Sequence, residues 1–272
     1  MITSGTFGAG GRLGNQLFQV GLLFAVAARN GCRFGVARRG EQIWECFDLD
    51  VPEPAGEPTH HFAEIGSTIC FDPRVFDQPD GTAFHGYFQS YRYYEACESE
   101  LRSFLRFQSR HFSQAAAEIE RLRREYPLRL VGVHYRRTDY VEAWCVDSWG
   151  NLHADGYYDR VFDTLGDDVL YLVFSDDLGW CRENVRRPHI EFIDRDAYVS
   201  LCMMTLCDIN VTANSSFSWW GAFLNRCGSK VLAPERWFAL PEPAERPAVV
   251  VLPDWTKIPV LQRAAGELNR AP

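Results

Sequence analysis

Through the second half of the chain, short apolar runs alternate with segments of helical period. The runs fall at Leu128–Tyr135, Val169–Phe174, His189–Ile193, Asp208–Thr212, Lys230–Ala233 and Val249–Leu252. Helical patterns lie between most of them, around Tyr157–Leu165, Leu178–Val185, Tyr198–Leu206 and Trp219–Arg226. Nearly continuous apolar strands separated by helices predict a parallel sheet covered on both faces. The first half opens in the same way. β-prone residues 1–7 lead into the glycine-rich GAGGRLG, then a helix over Asn15–Arg29 closed by Asn30-Gly31, then a strand in CRFGVARR. Residues 50–80 hold Pro52, Pro54, Pro58, Pro73 and Pro79 without a period, which predicts irregular connections. Ser99–Tyr126 predicts one helix, ended by Pro127. That proline marks the expected boundary between a first α/β domain, 1–127, and a second, 128–272. Two such halves facing a cleft would place ligands beyond the carboxyl ends of their strands.

Several polar groups sit where those strands run out. In LRLVGVHYRRTDY, residues 128–140, an apolar strand ends in His134, Arg136 and Arg137. Arginine is always charged, and its planar fork matches phosphate oxygens, so two in a row can clamp a diphosphate. The plainer reading is a salt bridge from one arginine to Asp139. At the next strand end, in FSDDLGW, Ser175 or Asp176 is expected to cap a helix, and since one acid is enough for the cap, an aspartate of the pair Asp176/Asp177 is left to meet a ribose or a base. In VTANSSFSWWGAFLNRCG, residues 211–228, Asn214, Ser215 and Ser216 open a helix whose backbone N–H groups suit an anion. Phe217, Trp219, Trp220 and Phe223 in that segment read as core. The glycines at 5, 8, 11 and 14 imitate a sugar-nucleotide dehydrogenase turn. That chemistry needs a tyrosine four residues before a lysine, and the only lysines, Lys230 and Lys257, follow Arg226 and Pro253 at that spacing. The glycines are instead expected to let backbone approach a ligand, with Gly14, Asn15 and Gln16 at the helix entrance.

Composition narrows the classes. The chain has 272 residues, 46% hydrophobic and 14% aromatic, with a net charge of −8. Such a surface repels nucleic acid and anionic membranes. Nine cysteines without a CxxC pair fit neither a zinc framework nor a secreted disulfide scaffold. The start lacks a signal peptide's pattern, and no apolar run is long enough to span a bilayer, which predicts a cytoplasmic protein with room for peripheral membrane association. Acid pairs at Asp48/Asp50 and Asp194/Asp196 have the DxD form of metal-dependent glycosyltransferases, a triplet that arises readily by chance among 36 acids.

Five stretches carry a resemblance: GRLGNQLFQ at 11–19, GYFQSYRYYE at 86–95, HYRRTDY at 134–140, FSDDLGW at 174–180 and ANSSFSWWGAFLN at 213–225. In that order they resemble the bacterial α-1,2-fucosyltransferases of glycosyltransferase family 11. The resemblance implies a GT-B-like pair of Rossmann-type α/β domains facing a cleft. It also implies GDP-fucose as donor, a galactose-terminated glycan as acceptor, inversion at the fucose anomeric carbon, and no metal or other cofactor. By motif position, Arg136 would hold the donor β-phosphate with Arg137 beside it. His134 and one of Asp176 and Asp177 would meet the guanosine, Asn214, Ser215 and Ser216 would complete the diphosphate site, and Asn15 would orient donor or acceptor. Asp139 is the nearest acid that could take the acceptor proton, with Glu142 next. One position departs: the family usually has Gly where this chain has Thr138, and RRTD looks like the related α-1,6-fucosyltransferases. Another GDP-sugar, another linkage, or a non-catalytic nucleotide-sugar or glycan-binding module are the alternatives.

Overall fold

A computed structural model describes residues 1–9, 11–38, 41–65, 70–225, 227–239 and 250–260. These residues form two compact units, 1–108 with 250–252, and 109–239 with 253–260. The boundary therefore falls after Gln108, ahead of the one expected at Pro127. The reason lies in the segment expected to be one helix. It is two, α3 (Glu98–Phe104) and α4 (Ser109–Glu125). Between them Phe107 forms an antiparallel bridge with Phe47 and stacks on it at 4.5 Å, while Gln108 N donates to Cys46 O at 2.9 Å. Those contacts belong to the first unit and draw the chain out of helix. Helix α4 belongs to the second, where Arg123 donates to both carboxylate oxygens of Asp208 at 2.8 and 3.1 Å.

The first unit is built on a parallel sheet of β1 (Ile2–Ser4), β2 (Phe34–Gly35), β3 (His60–Ala63) and β4 (Thr82–His85), in the order β2-β1-β4-β3. Its main helix, α1 (Leu13–Asn30), ends as expected, with Gly31 at φ 64° closing the last turn. Strand β3 lies inside the proline-rich stretch expected to be irregular. It is an edge strand, mostly exposed, so it carries no apolar alternation to betray it.

The second unit holds β5 (Arg129–Tyr135), β6 (Val169–Ser175), β7 (Ile190–Phe192), β8 (Ile209–Val211), β9 (Lys230–Pro234) and β10 (Thr256–Ile258). All pairings are parallel, in the order β10-β9-β8-β5-β6-β7. Chain direction across the sheet thus reverses between β5 and β8, the arrangement of dinucleotide-binding sheets. The strand expected at 249–252 is not seen over 250–252, and Val249 lies outside the described residues; the sheet is completed instead by β10. Helices α5 (Ala143–Trp149), α6 (Tyr157–Leu165), α7 (Leu178–Asn184), α8 (Ala197–Met204) and α9 (Ser216–Phe223) lie between the strands, and a short helix, α2 (Gln42–Cys46), follows β2 in the first unit. α9 starts three residues earlier than expected, at Ser216, and Arg226 lies outside the described residues.

Val131, Val133 and Tyr135 pack with Tyr157, Tyr158, Val161 and Phe162 of α6 in one buried cluster. Each such side chain contributes about 1.5–3 kcal/mol on burial. On the other face Gly132 leaves room for the turn before β8: a methyl group there would lie 3.0 Å from Cys207 Sγ. That turn is held by a buried amide. Asn225 Nδ2 reaches Met204 O, Cys207 O and Asn210 Oδ1 at 3.2, 2.8 and 2.8 Å. Trp219, Trp220 and Phe223 are fully buried, as the sequence predicts for core, whereas Phe217, expected with them, is only partly buried. No described helix is long and apolar enough to cross a membrane.

Asn225→Ala takes from Cys207 O its side-chain donor, while Met204 O keeps Asn210 Nδ2 and Asn210 Oδ1 keeps Ser229 Oγ, and should cost about 1–3 kcal/mol. Urea unfolding monitored by circular dichroism measures it.

Candidate functional site

In open α/β sheets, ligands bind beyond the strand ends where the order reverses. Here that point lies between β5 and β8, and the residues that follow both strands are those singled out from sequence. Immediately after β5, Arg136 makes ion pairs through Nη1 to Asp176 and through Nη2 to Asp139, and its side chain is only 12% exposed. The Arg137 backbone N–H donates to the second Asp176 oxygen at 2.8 Å. The Arg137 guanidinium lies 3.3 Å from the centroid of Trp180 and 3.5 Å from Asp177. Tyr140 faces Arg136 at 5.1 Å and donates to Asn214 O at 3.2 Å, tying the β5 end to the β8 end. Asn214, Arg136, Arg137 and Tyr140 line one small cavity.

The two acids of FSDDLGW divide the work. Asp177, and not Ser175 or Asp176 as expected, caps α7, accepting from Trp180 N at 3.1 Å, because Ser175 accepts from Asp177 N and Asp176 turns to the arginines. Thr138 Oγ1 donates to Asp176 at 2.6 Å. Asp139, the nearest candidate base, is an ion-pair partner of Arg136. Ser215 is the cap residue of α9, yet its side chain makes no cap hydrogen bond. Ser216 is the first residue of α9.

His134 points to the opposite face of β5 from Tyr135, its ring 5.6 Å from Phe217. It is 6% exposed, and its Nδ1 meets no hydrogen-bond partner among the described residues. Burial, and secondarily the charge of Arg136, push its pKa down to about 3. A buried ring nitrogen with no partner is costly in a finished interior and apt for a ligand donor.

The profile of Glycosyl transferase family 11 matches residues 74–259. The chain belongs to that family. Among its relatives, the rat galactoside alpha-(1,2)-fucosyltransferase 2 is 27% identical over 92% of this chain and 75% of its own length. The Escherichia coli O-antigen biosynthesis glycosyltransferase WbnK is 31% identical over 39% of this chain, and the match spans 38% of that protein. The solved structure of NodZ, an α-1,6-fucosyltransferase from Bradyrhizobium co-crystallised with GDP, superposes with a TM-score of 0.50 at 15% identity, covering 82% of this chain and 90% of NodZ. The fold is accordingly GT-B-like, with Rossmann-type α/β units.

In this family 11 protein the first-unit motifs meet one another. Gln19 Nε2 donates to Gly86 O at 2.9 Å, and Gln89 Nε2 donates to Asn15 Oδ1 at 2.7 Å, joining GRLGNQLFQ to GYFQSYRYYE. Gln16, expected at the donor, is 3% exposed and spends its amide on Gly11 O and Ile43 N. Gly14 is buried within α1. The glycines do not open backbone to a ligand as expected. A methyl group on Gly5 would lie 2.2 Å from the His85 ring, on Gly8 2.6 Å from Glu41, and on Gly11 2.9 Å from Asn15, so each makes room for a side chain of the protein itself. Of the two acid pairs, Asp194/Asp196 has structural partners: Asp196 caps α8, and Asp194 lies 3.6 Å from Arg182. Among the described residues no group of three or more potential ligands could hold a metal ion.

Sequence reasoning missed Trp180, Tyr140 and Glu64. The two aromatics end the motifs that were read for their charges. Glu64 accepts from Tyr87 N and Phe88 N at 2.9 and 3.2 Å, holding Phe88 at φ 54°, a conformation a bulky residue rarely adopts. Burial raises its carboxyl pKa. Nothing in the local sequence marks it.

The unfolded chain protonates His134 near its ordinary 6.5, whereas the folded protein keeps it neutral down to about 3. Stability present above pH 6.5 should therefore fall by up to about 1.4 kcal/mol per pH unit below it. Unfolding free energies at pH 7, 5.5 and 4.5 should show this slope, and His134→Phe should flatten it.

Proposed function

We propose that this family 11 glycosyltransferase transfers L-fucose from GDP-fucose to the 2-hydroxyl of a terminal galactose, with inversion at the anomeric carbon. The observation that carries the reading is the placement of Arg136 and Arg137 at the reversal point of a six-stranded parallel sheet, side by side and largely buried. Two permanent cations there call for an anionic ligand, and a nucleoside diphosphate is the anion that such sheets are shaped to receive. The α-1,2-fucosyltransferase relatives support the linkage.

In this reading Arg136 takes the β-phosphate and Arg137, braced against Trp180, fixes the pyrophosphate. As the C1–O bond breaks, negative charge gathers on GDP and positive charge on the sugar ring. Donors aimed beforehand at the leaving group are worth about 2.7–4 kcal/mol each in comparable sites. No divalent cation is required. The partnerless Nδ1 of His134 suits a donor on the guanosine, with Asp176 released for the base. Asn214, Ser215 and Ser216 supply polar groups at the α9 entrance, and Asn15 orients donor or acceptor. The acceptor hydroxyl forms its bond to C1, its proton passing to Asp139 or to water, while the bonding pair of C1–O leaves with GDP. Of the two roles open to Asp139, bracing Arg136 is the one its ion pair supports.

A second reading, α-1,6 transfer, is motivated by Thr138, which gives the RRTD of that related group. Purified protein with GDP-fucose and a panel of lactose, lacto-N-biose and N-acetyllactosamine should release GDP in the presence of EDTA, and product linkage analysis separates α-1,2 from α-1,6. Arg136→Ala should cut turnover by about 10²–10³-fold while circular dichroism shows the protein still folded. Full turnover by that variant, or loss of activity with the chelator, would contradict the assignment. GDP binding without release from any donor would favour a non-catalytic module.

A further inference from the structure

The arginine pair is not waiting empty. Three carboxylates, Asp139, Asp176 and Asp177, surround two guanidinium groups, so the side chains of the site carry an excess negative charge. A diphosphate cannot simply add to it, since like charges at this range repel strongly in a partly buried setting. It must take the place of a carboxylate. What holds the carboxylates on Arg136 is visible in the geometry. Thr138 Oγ1 lies 2.6 Å from Asp176 Oδ2 and 3.0 Å from Asp139 Oδ1, and accepts from Arg136 Nη1 at 3.2 Å. One hydroxyl proton serves one carboxylate at a time, and Asp176 is the nearer. The Arg137 backbone N–H fixes the other Asp176 oxygen at 2.8 Å. The hydroxyl is thus the hub of a closed cage, in contact with both carboxylates that pair with Arg136 among the described residues.

We infer that Thr138 is a positioning residue that keeps Arg136 closed by the protein's own carboxylates, so that binding of a nucleoside diphosphate is an exchange of carboxylate for phosphate on one guanidinium. The inference rests on the reading of Arg136 as a phosphate ligand and adds what occupies the site beforehand. Thr138 stabilises the closed side of the exchange. Removing its hydroxyl while keeping its shape opens the cage and favours the nucleotide; a hydrogen bond of ordinary strength corresponds to about three- to tenfold in affinity.

The full chain, as wild type, Thr138→Val and Thr138→Ser, tests this with two readouts. Without nucleotide, the rate of phenylglyoxal modification at Arg136, mapped by mass spectrometry, should rise several-fold in Thr138→Val and stay at the wild-type rate in Thr138→Ser, with Arg137 unchanged in both. In calorimetry at fixed salt, GDP should bind Thr138→Val about three- to tenfold more tightly than wild type. A folded Thr138→Val that is labelled no faster, or that binds GDP equally or more weakly, overturns the inference. Absence of GDP binding by wild type would instead overturn the reading of the site, and the labelling rates would still decide whether Thr138 holds the cage.

Discussion

A guanidinium held at 12% exposure must have anions beside it, and that requirement organises the second unit's site. Arg136 cannot shed its charge, and water cannot reach it freely. The need is met by Asp139, three residues on, and by Asp176, just past the end of the neighbouring strand. The seven-residue register between β5 and β6, from Arg129 against Val169 to Tyr135 against Ser175, brings these two strand ends level. A shift of the pairing would separate Arg136 from Asp176, so the site depends on the apolar strands that fix that register as much as on the charges themselves.

Arg137 solves the same problem differently. It has a weaker ion pair, at 3.5 Å, and a close aromatic face, Trp180. Cation–π contacts tolerate the approach of an additional anion, because the ring does not compete for the guanidinium's hydrogen-bonding edge. The pair thus combines a cation enclosed by exchangeable carboxylates with one braced from below.

Much of the second unit is legible in the sequence because its strands are buried on both faces and its helices have caps. The run from Leu128 and the helix at Tyr157–Leu165 were readable from their apolar periods and the closing Gly166, whereas the cap of the next helix falls to Asp177 rather than to Ser175 or Asp176. The failures have physical causes too. Strand β3 is an exposed edge without alternation, and Phe107 and Gln108 leave helix for partners some sixty residues away, which no local pattern reports. The glycines of the first motif suggested bare backbone for a ligand, yet His85, Glu41 and Asn15 occupy the space they leave. A glycine says that something comes close; only the fold says what.

The account stands on the same guanidinium meeting carboxylates in one state and phosphate in the other. A crystal structure of the protein with GDP tests it most directly. Arg136 should lie within hydrogen-bonding distance of β-phosphate oxygens, with its contact to Asp139 or Asp176 broken. GDP bound while Arg136 keeps both carboxylates and touches no phosphate would contradict it.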